Sequence, residues 1–145
     1  MRRIIFLIWF LGSTMTISCA TTEKKDWVLE TTGVKEVDAR KFYNQMKDAI
    51  LTNKKDTLAS LIWFPVGADI HGHHVVIKNK AEFLEHYDEI INQHIKEIVR
   101  AFKFDGISPT YHGFFVNDGE IIFEGVGDLK HNVVLISGFN NEMKN

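Results

Sequence analysis

Three histidines fall within four positions, His71, His73 and His74, and neutral imidazole is a ligand for zinc, copper or nickel. On a strand, His71 and His73 share one face and His74 opposes them, whereas a metal centre needs three or four convergent donors. His112, Asp69 and Asp88 are the residues that could complete such a set, but no spacing in the sequence brings them together. The plainer expectation is a polar hairpin tip with solvated imidazoles and no resident metal; a protonation switch near pH ~6 is a further one.

A second set of residues could move protons. Asp69, Asp88 and His112 are the catalytic candidates, with Tyr87 and Tyr111 beside them in the sequence, because a carboxylate next to an imidazole in a dry pocket can abstract a proton near neutral pH. Against this, Asp88 stands between Tyr87, on an apolar stripe, and Glu89, so it can equally face solvent. Tyr87 itself is expected in the core with one hydrogen bond to its hydroxyl. A third set is aromatic: Trp63, Phe64, Phe83, Phe102, Phe104, Phe114, Phe115 and Phe123, of which Trp63, Phe64 and Phe114, with Tyr87 and Tyr111, are the foremost candidates to line a pocket for an apolar or peptide ligand. Core filling is the competing role for each. Phe114 and Phe115, adjacent on a strand, must face opposite ways.

Several motifs are missing from the chain. It has no Gly-x-Gly-x-x-Gly, phosphate loop, Gly-x-Ser-x-Gly or His-Glu-x-x-His. Asn117-Asp118-Gly119 is a turn and lacks the run of oxygen ligands that a calcium loop needs. No cofactor is expected.

The elements that would position these residues belong to one domain, as the length of 145 residues implies. With 45% hydrophobic, 25% charged and 12% aromatic residues, the composition is globular, which excludes collagen-like and wholly disordered readings. The formal net charge of -2 gives no basic excess, so no nucleic-acid partner is expected. A single cysteine excludes an internal disulfide framework and a cysteine-rich zinc site.

That cysteine belongs to an export pattern. Met1-Arg2-Arg3 is followed by an apolar run from Ile4 to Leu11 and then by small and polar residues, the form of a secretory leader. The run is shorter than the roughly 20 apolar residues of a membrane span. Thr16-Ile17-Ser18-Cys19 resembles a bacterial lipobox, with Thr16 in place of the favoured leucine. The resemblance implies cleavage after residue 18, lipidation of Cys19 and a place in the periplasm or cell envelope, held to membrane by the lipid alone. An ordinary cut near Ala20 would discard Cys19 instead. Losing residues 1–18 lowers the basic count from 17 to 15 against 19 acids, so the processed chain carries about -4, and lipid chains rather than charge would hold it. Residues 19–36 read as a lipidated tether.

From residue 37 the pattern is regular. Asp38 can cap a helix whose stripe is Ala39, Phe42, Tyr43, Met46, Ala49 and Ile50. A short helical piece follows over 57–62. Residues 63–78 predict a hairpin with His71-Gly72-His73 at its turn, its first strand at an edge or bulged because of Pro65 and Gly67. Asn79 with Glu82 opens a helix running to about Val99. Residues 100–110 are ambiguous. Tyr111–Val116 and Glu120–Glu124 predict a hairpin around Asn117-Asp118-Gly119, then a turn over 125–130, a strand over 131–139 and a polar tail. Helices, a hairpin, a helix and three strands imply α+β, with a curved antiparallel sheet around helices.

That order resembles the nuclear transport factor 2-like superfamily, across roughly residues 37–139. The local supports are Ile62-Trp63-Phe64-Pro65-Val66 before a hairpin, Ala81-Glu82-Phe83-Leu84 with Tyr87-Asp88-Glu89-Ile90-Ile91, and His112 to Phe123. The resemblance implies a cone of helices on a bent sheet, for the domain at 37–145. The superfamily contains enzymes, binding proteins and accessory domains, so the fold does not choose among them. The resulting expectation is a non-catalytic envelope lipoprotein domain binding a small molecule, a peptide or an envelope protein. The alternatives are a cyclase-, dehydratase- or isomerase-type enzyme using a pocket Asp/His/Tyr set, and an inhibitor or immunity-type protein. A homodimer through the open sheet face is a further expectation.

Overall fold

The computed structural model describes residues 27–128 and 132–141. The leader, Cys19 and the tether up to residue 26 lie outside the described residues, as do His131 and the last four positions.

The described chain is α+β. Its first helix, α1 (Trp27–Thr32), lies in the stretch read as tether. It is helical, and Val28 and Val34 are buried, so this part of the chain is packed onto the domain. Gly33 ends α1 at φ +71, its N–H bonding Leu29 O at 2.8 Å, the left-handed step that glycine takes without steric cost.

Helix α2 (Glu36–Leu51) buries the expected stripe, Ala39 to Ile50. It begins before Asp38, with Lys35 at the cap position and no side-chain cap. Asp38 therefore sits in the first turn, where its charge favours the positive end of the helix. Helix α3 (Lys55–Ala59) follows, then strands β1 (Ile62–Ile70) and β2 (His73–Ile77), paired antiparallel with Asp69 opposite His74.

Where one long helix was expected from Asn79, the chain makes three short ones: α4 (Lys80–Glu85), α5 (Tyr87–Ile90) and α6 (Gln93–Ala101). Asn79 caps α4 as expected, accepting from the Glu82 N–H at 3.1 Å. The apolar periodicity hid a second cap at Asn92, whose Oδ1 accepts from the Ile95 N–H at 3.1 Å. Asn competes with helical backbone for hydrogen bonds, so mid-pattern it starts a new helix. Asn141, expected in a free polar tail, closes this break. Its Nδ2 donates to Glu89 O at 2.6 Å and Ile90 O at 3.2 Å, and its Oδ1 accepts from Asn92 Nδ2 at 2.7 Å.

The ambiguous stretch resolves into a 3₁₀ turn (Phe104–Gly106) and strand β3 (Ser108–Thr110). Tyr111 and His112 form a turn rather than the start of a strand; β4 spans only Gly113–Val116. Strand β5 (Ile121–Val126) runs two residues past the expected end, and β6 (Val133–Phe139) completes the sheet.

Six strands lie in the order β2-β1-β6-β5-β4-β3, all antiparallel except the β1–β6 pair, so the sheet is mixed. β1 is therefore interior, not an edge. Pro65 is tolerated because it falls between Ile62 and Gly67, where β1 leaves register with β6 and the missing N–H breaks no ladder bond.

The helices cover one face. There Phe42 of α2 meets Phe123 of β5 at 5.2 Å between ring centroids, and Phe83 of α4 meets Phe64, Tyr87 and Phe139 at 6.3, 5.8 and 5.9 Å. Phe114 stacks on Phe123 at 4.9 Å. On the opposite face one row crosses the whole sheet: Val76, Gly67, Gly138, Ile122, Phe115 and Ser108 lie in register. Phe114 and Phe115 thus face opposite ways, as strand geometry requires.

Candidate functional site

The three histidines do not converge. His71 occupies the hairpin turn at φ +52, and His73 and His74 point to opposite faces of β2. His74 lies on the outer face, its Nδ1 2.9 Å from Asp69 Oδ1, and its ring covers Gly67 so closely that a Cβ there would come within 2.8 Å of it. Gly67 therefore makes the room in which the Asp69–His74 pair sits.

His71 reaches Glu89 on α5 instead, Nε2 to Oε1 at 3.5 Å, and Glu89 Oε2 meets His86 Nδ1 at 2.7 Å. One carboxylate thereby ties the hairpin tip to α5. Its hydrogen bond with His86 lowers the Glu89 pKa, with a smaller contribution from His71. The same bond raises the His86 pKa, with Glu85 and Glu82 adding to it. Among the described residues, no group of three or more His, Cys, Asp or Glu side chains could hold a metal ion.

The signs of the two shifts define a pH window for this pair. The raised imidazole favours the folded state fully below its ordinary pKa of about 6.5 and loses that effect as pH rises through its folded value. The lowered carboxylate contributes fully above about 4.3 and loses its effect as pH falls through its folded value. Both hold together between those limits. In a proton NMR titration His86 should titrate above a free-peptide histidine, and Glu89→Gln should move its midpoint down. An unchanged midpoint in that variant would remove the pair.

The acid–base candidates stand apart. Asp69 is partly buried against His74. Asp88, whose side chain is 76% exposed, bonds Lys55 Nζ at 2.9 Å. His112 is exposed in the β3–β4 turn with its ring 4.1 Å from that of Tyr111. The pocket candidates separate in the same way. Trp63 and Tyr111 are exposed, Phe64 is half-buried against Phe83, and Tyr87 and Phe114 are core residues. Contrary to expectation, the buried Tyr87 hydroxyl has no hydrogen-bond partner among the described residues. Burial, and then Asp88, raise its pKa, which keeps the phenol protonated and unsuited to act as a base.

One cleft is lined by two of the aromatic candidates, Phe104 and Phe114, and otherwise by residues outside the sequence candidates. This cleft of about 160 Å³ lies between α1, the start of α2, the 3₁₀ turn and β3. Its floor is Val28, Phe104, Ile107, Pro109 and Phe114; its rim is Trp27, Glu36, Arg40 and Asp105. Arg40 Nη2 donates to Glu36 Oε1 and Asp105 Oδ1, each at 2.8 Å, and the guanidinium lies 4.5 Å from the Phe104 ring centroid. These two hydrogen bonds, that to Glu36 first, raise the Arg40 pKa. Glu36 and Arg40 are four apart on one helix, a pairing readable from sequence. Asp105 and α1 are joined to them only by tertiary structure.

Comparison of the chain with protein-family models, with curated proteins and with solved structures returns no match.

Proposed function

We propose that this chain is an exported protein, lipid-anchored at Cys19, whose nuclear transport factor 2-like domain binds a ligand and catalyses no reaction. The fold-family part is supported by the strand order, by the parallel β1–β6 pair within an otherwise antiparallel sheet, and by helices on one face only. The anchor is supported by the leader pattern ending at Cys19; among the described residues no helix is long and apolar enough to cross a membrane.

The observation that carries the binding reading is the filled interior. Where an enzyme of this resemblance would hold its acid–base pair, Met46, Phe83, Tyr87, Phe114, Phe123 and Phe139 are packed together. Asp69, Asp88 and His112 sit at three separate places. Of the clefts among the described residues, the one beside α1 has an apolar floor under a charged rim, which suits a molecule or peptide side chain with an apolar body.

The neutral dye N-phenylnaphthylamine tests this. It should bind one to one and be lost in Ile107→Trp, which fills the cleft, while Asp69→Asn, Asp88→Asn and His112→Ala combined leave binding unchanged. Undiminished binding to the Ile107→Trp protein would contradict the cleft as the site. Self-association is favoured by a separate observation, the outer row from Val76 to Phe115, which is apolar at both ends with two glycines between.

A further inference from the structure

The large exposed apolar side chains are not spread evenly. Among the described residues seven are exposed, and four of them, Trp27 (56%), Val37 (67%), Tyr111 (81%) and Val133 (58%), gather at one end of the domain. Strand register fixes that end. Thr110 pairs with Gly113, and Phe114 with Phe123, so the Tyr111–His112 turn stands at the same end as the β5–β6 connection, where Val126 pairs with Val133. Helix α1 crosses this end. It packs on β3 near Trp27, and at its other extremity Gly33 O accepts from Asn132 Nδ2 at 2.9 Å. Val37 follows Glu36, which borders the same cleft as Trp27.

This is also the end at which the tether joins. Eight Cα steps separate Cys19 from Trp27, so a lipid-modified Cys19 holds Trp27 within about 29 Å of the bilayer surface at full extension. Tryptophan and tyrosine are the side chains that favour the headgroup layer, with an apolar ring and one polar atom. Among the described residues, the Arg40 side chain at this end is engaged with two carboxylates. The exposed side chains offered to lipid here are aromatic and apolar, and their partition does not require anionic lipid.

We infer that this end rests on the membrane, with Trp27 and Tyr111 seated among the lipid headgroups. The inference rests on the lipid anchor proposed above. It adds an orientation: the cleft beside Trp27 opens next to lipid.

Tryptophan fluorescence tests it in the lipidated protein, expressed with its leader and reconstituted into phosphatidylcholine vesicles. Trp9 leaves with the leader, so Trp63→Phe makes Trp27 the sole tryptophan. Brominated phosphatidylcholine should quench its emission about twofold or more, as contact with the headgroup and upper acyl region implies. Trp27→Phe, which leaves only Trp63 near the start of β1, should be quenched less than Trp27. An unquenched Trp27 in protein whose mass includes acyl chains would overturn the docking, and a blue-shifted but unquenched Trp27 would assign the surface to a second copy or another protein. Absence of the acyl chains would remove the anchor itself, a failure read from mass and not from fluorescence.

Discussion

Phe83→Ala should cost about 3–5 kcal/mol of folding stability, the range for truncating a fully buried phenylalanine. Phe83 is 0% exposed and touches rings from three directions: Phe64 on β1, Tyr87 on α5 and Phe139 on β6. The short helix carrying it has little stability of its own, because six residues lie far below the length at which isolated helices persist. Removing the ring therefore loosens α4 from the sheet as well as leaving a cavity. Against a typical total of about 5–15 kcal/mol, the loss takes a large share. Urea unfolding of both proteins measures it as a fall in midpoint. A loss below about 1 kcal/mol would mean that the space around Phe83 is not packed, and would reopen the interior as a pocket.

Cys19→Ser should have the largest effect on where the protein is found. Without the thiol there is no acceptor for the lipid, and each buried CH₂ of an acyl chain is worth about 0.8 kcal/mol of membrane attachment. The wild-type protein should sediment with membranes in high salt, and the variant should lose most of that association. The aromatic contact inferred for Trp27 and Tyr111 would remain, and a few such side chains give weak, reversible binding. Equal retention of both proteins in the membrane fraction would show that attachment does not run through Cys19.

The elements that the sequence made legible are those whose signal is local. The stripe on α2, the Asn79 cap, the hairpin turn at His71-Gly72 and the Asn117-Asp118-Gly119 turn all depend on neighbours within a few residues. Where the reading departed from the structure, a distant contact decided. Asn92 reads locally as a polar position on a long helix, because its partner Asn141 lies 49 residues away in a stretch with the pattern of a polar tail. Helix α1 has six residues, too few for a periodic pattern, and its place depends on β3 and Asn132.

The same division explains the candidate site. Residue type drew attention to His71, His73, His74, Asp69, Asp88 and His112, yet local geometry disperses them: a turn, opposite strand faces, an exposed helix start. The Asp69–His74 pair follows from hairpin register once the turn is known. The cleft could not be read in this way. Glu36 and Arg40 announce a surface ion pair, but Asp105, Phe104 and Trp27 reach them only through the tertiary fold.

The intact mass of the protein recovered from the membranes of a bacterial host tests the anchor. The expected mass is that of residues 19–145 plus the lipid joined at Cys19, with residues 1–18 gone. An unmodified chain that begins after Cys19 and is recovered free of membrane would contradict the anchor and the orientation built on it.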